Sequence, residues 1–187
     1  MAKTKRNSDW CFRMCTQADL DAVMRLQEIV CAALEDPDLF VATDREENRT
    51  YLAAPNFILG CFDGDVLAAY CSFVVPGNTP ENYAQDLGWP PEKVCAAAKL
   101  DTIVVHPAYR GNGLQRELID RALALAAHTP GVSTVLTTVS PKNQYSLHNV
   151  QAAGFSILMR KLKYGGKERF ILGRALFLPN NTETAEK

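Results

Sequence analysis

The 187-residue chain has no apolar run long enough to cross a bilayer, so no membrane-spanning helix is expected. It also has almost no net charge. Lys and Arg number 20 and Asp and Glu 21, a balance of -1 that argues against a broad basic face for non-specific nucleic-acid binding. Histidine is scarce. His106, His128 and His148 show no ligand spacing with each other or with cysteine, so no metal is expected. The cysteines at 11, 15, 31, 61, 71 and 95 form no Cys-x-x-Cys pair. No secretion signal is apparent, because Lys3, Lys5 and Arg6 are followed by Asn-Ser-Asp rather than by an apolar core. The thiols are therefore expected to be reduced, buried small hydrophobes, and the protein cytoplasmic. No internal repeat or low-complexity segment is present.

What remains is ordinary globular composition, 47% hydrophobic and 22% charged, at a length suited to one domain with a sizeable core. A flexible leader is expected over 1–9, a single domain over 10–178, and a flexible tail over 179–187. Trp10 to Cys15 reads as a strand. Thr16 then reads as a helix N-cap with Asp19 three residues on, and Leu20, Val23, Met24, Val30 and Leu34 follow at helical spacing. A short helix is expected from Asp44 to before Pro55. Two strand-like runs, 57–62 and 66–75, flank Asp63-Gly64 as a hairpin. Residues 76–92 read mainly as a long loop, with Tyr83 and Trp89 bordering a binding site. A strand over 99–105 then leads through a glycine turn into a helix with Leu114, Leu118, Ala122 and Leu125 on its apolar face. A strand over 132–139, a helix over 143–153 stopped by Gly154, and two strands around Gly165-Gly166 complete the chain. The order predicts an α/β (α+β) domain, a mixed sheet with helices packed on it.

The informative stretch is Ile103-Val104-Val105-His106-Pro107-Ala108-Tyr109-Arg110-Gly111-Asn112-Gly113-Leu114-Gln115. A strand feeds a glycine turn that opens a helix. Glycines let the backbone approach a ligand, and the unpaired first-turn N–H groups and the helix dipole favour an anion. The stretch lacks the Gly-Lys-Ser/Thr of a Walker loop and is not Gly-x-Gly-x-x-Gly, which disfavours a nucleotide-phosphate binder. Taken alone, it is equally a structural turn. In context it resembles the pyrophosphate motif of the GNAT family of acyl-CoA-dependent N-acetyltransferases, Arg/Gln-x-x-Gly-x-Gly/Ala. Arg110 fills the first place and Gly113 the fourth, while Gln115 stands where the family usually has Gly or Ala. Asn143, Ser146, Gly154 and Phe155 resemble the family's second motif, an Asn-led helix ending in Gly-Phe.

The resemblance implies a mostly antiparallel sheet, splayed at the cofactor strand to admit acetyl-CoA. It implies that Ile103, Val104 and Val105 hold the pantetheine arm in the manner of an added strand. Backbone groups from Arg110 through Gly111, Asn112, Gly113, Leu114, Gln115 and Arg116 would hold the pyrophosphate, and Asn143 would touch the cofactor near the thioester. Acetyl transfer needs a neutral amine, a polarised carbonyl, an oxyanion donor and a proton for the leaving thiolate. By resemblance, the oxyanion donor is a backbone N–H near Val105. Asp101 precedes Ile103 and Val105 at a two-residue spacing, which suits a general base and equally a salt-bridged structural aspartate. The family's usual acid, a tyrosine seven residues after the motif asparagine, is Val150 here. Tyr145, Ser146 and His148 lie nearby on different helix faces. The expected acceptor is a small-molecule amine or amino acid derivative, with a protein N-terminus or lysine as a variant. No nucleic-acid or membrane partner is expected, and the protein would be a monomer or homodimer. The alternative is a non-catalytic acyl-CoA-binding sensor.

Overall fold

A computed structural model describes residues 10–176. The expected leader, the tail and positions 177–178 lie outside the described residues. Among the described residues seven strands form one sheet: β1 Trp10–Met14, β2 Phe57–Asp63, β3 Val66–Val74, β4 Ala97–Val105, β5 Thr134–Val139, β6 Ser156–Lys163 and β7 Lys167–Ala175. Their order across the sheet is β1-β2-β3-β4-β5-β7-β6. All neighbours are antiparallel except β4 and β5, which run parallel. Among the described residues six α-helices cover the sheet: α1 Leu20–Ala32, α2 Arg45–Tyr51, α3 Tyr83–Asp86, α4 Pro91–Cys95, α5 Leu114–Ala126 and α6 Gln144–Ala152.

The helix starts follow local chemistry. Thr16 and Asp19 form a reciprocal capping box at a short 3-10 turn before α1, and Asp44 and Glu47 form another at α2. One sheet face carries α5 and α6, with Leu118, Ile119, Ala122 and Val150 against Cys71, Phe73, Ala98 and Leu100. The other face carries α1 and α2 on one half and α3 and α4 on the other. There Val23, Val30 and Tyr51 meet Tyr70 and Val104, while Tyr83, Ala84 and Val94 meet Leu136 and Ile171.

Four expectations need correction. Helix α1 ends at Ala32, so Leu34 lies beyond it, and Leu26 rather than Met24 is buried. On α5 the apolar face drifts towards Ile119, Leu123 and Ala126, because 3.6 residues per turn is not an integer, and this leaves Leu125 exposed. The 76–92 segment is mostly built structure. Buried Asn82 caps α3 through Ala84 N–H and donates to Gly77 O and Val94 O at 2.7 and 2.9 Å, tying α3 to α4. The six cysteines are free, but Cys11, Cys31 and Cys95 are exposed and only Cys15, Cys61 and Cys71 are buried.

Two irregularities shape the site. Strands β4 and β5 pair only from Ala97 to Leu100 and from Thr134 to Thr137, so the ends of both diverge. On its other side β4 stays paired with β3 to Val105. That pairing shifts register, so that Ser72 faces both Asp101 and Thr102 across a β-bulge.

Candidate active site

The divergence between β4 and β5 opens a cavity of about 640 Å³ that runs through the sheet. At one end lie Arg110, Gly111, Gln115, Asn143 and Ser146; at the other, Leu39, Phe40, Tyr83, Lys99, Lys163, Tyr164 and Arg169. Ile103, Val104 and Val105 line the middle, where β4 has no neighbour on the β5 side. Their backbone forms an internal sheet edge, to which an extended ligand can add hydrogen bonds.

The turn before α5 is built for close approach. Gly111 and Gly113 hold φ of 81° and 75°, and a Cβ at either would meet nothing within 4 Å. Gly113 is the N-cap and supplies no side chain, and Glu117 N–H is the first to reach its carbonyl, at 3.1 Å. The first-turn N–H groups are thus available to an anion. Asn112 braces the turn by donating to Tyr109 O at 3.0 Å. Gln115, the departure from the usual motif, joins two helices. Its Nε2 donates to Ser146 Oγ at 2.9 Å, and its Oε1 accepts from Asn149 at 2.8 Å. Arg116 turns aside to Asp120 at 2.8 Å and takes no part in the cavity lining. Asn143 lines the cavity while its Oδ1 accepts from Ser146 N–H at 3.0 Å to cap α6.

At the far end the bulge decides where Asp101 goes. Simple alternation puts it with Ile103 and Val105, but alternation breaks here. Leu100 packs with α5, whereas Thr102 two residues on bonds to Thr43 on the opposite face at 2.8 Å. Asp101 still reaches the cavity. Its Oδ1 accepts from Lys99 Nζ at 2.7 Å and from Tyr83 OH at 3.0 Å. Lys99 and Asp101 side chains are only 8% and 12% exposed. Tyr83 OH in turn lies 2.9 Å from Tyr164 OH, which lies 3.2 Å from Thr138 Oγ1. Because Asp101 is an acceptor and Tyr83 has one hydroxyl proton, the chain is directed: Thr138 donates to Tyr164, Tyr164 to Tyr83, Tyr83 to Asp101. Burial, reinforced by the Asp101 charge, pushes the Tyr83 phenol well above its ordinary value and keeps it protonated. Tyr164 holds φ of 52°, which is unusual for a bulky residue and places its ring at the cavity wall.

The remaining wall is pinned from a distance. Buried Gln27 of α1 exchanges hydrogen bonds with the Thr43 backbone at 2.8 and 2.9 Å, which fixes the connection that carries Leu39 and Phe40. Val150 is buried and borders the cavity, so no hydroxyl stands at that position. Tyr145 lies at the rim and is exposed, Ser146 is engaged by Gln115, and His148 is exposed away from the cavity. Trp89 is half-buried under Lys93, 3.6 Å from its ring centre, and does not line the cavity; Tyr83 does. Lys99, Lys163, Tyr164 and Arg169 were not expected at the site; Lys99 lies two residues before Asp101 on β4, whereas only tertiary pairing brings the other three there. Among the described residues no cluster of three His, Cys, Asp or Glu could hold a metal ion.

A glycine turn opening α5 thus lies beside a splayed parallel strand pair, and both border one cavity. The model of the Acetyltransferase (GNAT) family matches residues 23–155, most of the chain, and the protein belongs to this family. Among solved structures, a putative acetyltransferase, yncA, from Salmonella typhimurium with its cofactor acetyl-CoA is similar, with a TM-score of 0.68 and 19% identity. That match covers 91% of this chain and 95% of the other. An N-acetyltransferase from Staphylococcus aureus matches with a TM-score of 0.69 and 16% identity, over 91% and 100% of the two chains. The ribosomal-protein-S18-alanine N-acetyltransferase from Escherichia coli matches with a TM-score of 0.67 and 17% identity, over 92% and 97%. No curated protein sequence matches the chain.

Proposed function

We propose that the protein binds acetyl-CoA in the β4–β5 gap and transfers its acetyl group to a primary amine entering from the Tyr83–Tyr164 side. One observation carries this reading: a single cavity joins the uncapped start of α5 to a buried carboxylate, with an unpaired stretch of β4 between them. The residues fit the ligand. The positive-φ glycines leave room for a pyrophosphate, and the β4 edge offers backbone partners for an extended arm. The bound thioester supplies the acetyl group. The amine is proposed to be a small molecule or amino acid derivative, while the E. coli neighbour's name points to a protein alanine in that protein.

In this reading the first-turn N–H groups of α5 hold the pyrophosphate, and a β4 backbone N–H near Val105 faces the developing oxyanion. Asp101 takes the amine proton, either directly or along the Tyr164–Tyr83 chain, in which each hydroxyl gives one proton as it gains another. Lys99 keeps the carboxylate anchored. Water in the cavity can supply the thiolate proton, so Val150 is compatible with turnover. The test is to incubate the protein with acetyl-CoA and an amine panel and follow free thiol. Amine-dependent thiol release supports transfer. Binding of acetyl-CoA without release to any amine supports the second reading, an acyl-CoA sensor, which rests on the apolar Val150.

A further inference from the structure

Arg169 on β7 is only 3% exposed and lines the acceptor end of the cavity. It has no ion-pair partner among the described residues. Its guanidinium donates to two backbone carbonyls, Glu168 O at 2.8 Å and Asp38 O at 2.7 Å. The acids nearby are engaged elsewhere. Asp38 pairs with Lys167 at 3.2 Å, Glu168 with Arg160 at 2.6 Å, and Asp36 with Lys142 at 3.1 Å. The other cations at this end are matched, Lys99 by Asp101, and Lys163 together with Lys161 by Asp86. Burial alone would raise the Asp86 carboxyl, but its hydrogen bonds from Lys161 and Lys163 hold it below its ordinary value, so it is a charged partner. Glu47 and Glu81 also line the cavity, but neither forms an ion pair with Arg169.

A buried guanidinium is costly unless its charge is met. Its planar fork of donors suits a carboxylate held through two parallel hydrogen bonds. The Tyr164 ring, 5.6 Å from the guanidinium carbon, fixes the fork from one side by cation–π contact. Tyr164 also belongs to the chain that ends on Asp101, so the unpaired guanidinium and the carboxylate proposed as base share one side chain. We propose that Arg169 binds a carboxylate of the acceptor, and that the acceptor is an amine that also carries a carboxylate. The amine half of this statement rests on the acetyl-transfer reading, whereas the carboxylate site stands on Arg169 and its surroundings.

The experiment separates the two. N-acetyl amino acids and their C-terminal amides are titrated calorimetrically against the coenzyme A-loaded protein, and against the ligand-free protein. Leaving a buried charge unpaired weakens such complexes strongly, so the acid should bind on the order of 10²-fold more tightly than the amide. Arg169→Met should erase that ratio and Arg169→Lys should retain part of it. A peptide arm compares N-acetylated tripeptides with an acidic or a neutral second residue. A preference confined to the acidic peptide keeps the carboxylate site and assigns its source to a protein. Equal or absent binding of acid and amide in every arm overturns the proposal, as does a preference that survives Arg169→Met. If Arg169→Met unfolds, the acid-to-amide ratio of the unaltered protein decides alone. An acid preference without thiol release to any amine sinks the transfer reading and leaves the carboxylate site standing.

Discussion

Replacing Gly113 with valine separates the strain of the α5 turn from its use. The φ of 75° is open to glycine and costs an L-residue about 1–2 kcal/mol. A Cβ at this position meets no protein atom within 4 Å, so strain is the whole cost to the ligand-free fold. In a domain of this size each kcal/mol moves the melting temperature by about 2–4 °C, so the empty variant should melt about 2–8 °C lower. The unaltered protein should gain about 2.7 kcal/mol from acetyl-CoA at 100-fold its dissociation constant, a rise of about 5–11 °C. In the variant that rise should vanish, because the branched side chain occupies the space that the pyrophosphate would take beside the first-turn N–H groups. Gly113→Ala carries the strain with less bulk and should keep part of the rise. Thermal melts with and without millimolar acetyl-CoA measure all three proteins. A full rise in Gly113→Val would refute the cradle at α5, and no rise in the unaltered protein would refute the binding reading altogether.

Asp101→Asn should lower turnover by a factor on the order of 10²–10⁴ while sparing acetyl-CoA affinity. Near-normal turnover on an identified acceptor would return Asp101 to the role of partner for Lys99. Tyr164→Phe removes the hydroxyl and keeps the ring against Arg169. Turnover should fall roughly tenfold, about 1.4 kcal/mol, with little change in acceptor KM; a change in KM alone would mean that the hydroxyl only contacts the acceptor. Asp19 tests the fold by pH. Hydrogen bonds from the Arg13 guanidinium hold its carboxyl well below the ordinary range. A lowered folded-state value means that the stability is present above the unfolded value near ~4 and is lost as pH falls towards the folded value. Asp19→Asn should therefore cost about 1–2 kcal/mol at neutral pH. Denaturant melts across pH should show that difference shrinking only below pH ~4, and a constant difference would assign the loss to packing.

Local signals were legible in the sequence where a few adjacent residues decide the backbone. Asp63-Gly64 and Gly165-Gly166 mark the two hairpins, Thr16 and Asp19 the entry to α1, and Arg110 to Gly113 the turn into α5. The Tyr83–Tyr164 wall of the cavity was not legible, because it is made largely by distant pairings. A register shift against Ser72 breaks the period of two beyond Asp101, which parts Asp101 from Ile103 and Val105, and Arg169 arrives through β7 inserting between β5 and β6. Asn82 likewise turns an apparent loop into structure through bonds to Val94 and Gly77 that no spacing rule shows. The Leu125 error is smaller in kind, since one face of a helix drifts by part of a residue each turn.

The early end of β4–β5 pairing also bears on aggregation. An unpaired strand edge on the outside of a protein is a template that other chains can extend, and edges are commonly blunted with charge, proline or bulges. Here Ile103 to Val105 are apolar, sit between the bulge at Asp101 and Thr102 on one side and Pro107 on the other, and turn their open side to the interior, facing the end of β5 across the cavity. A second polypeptide strand would have to enter between the two halves of the sheet to pair with them. The fold thus keeps a hydrogen-bonding edge available to a slender ligand while shielding it from neighbouring protein chains.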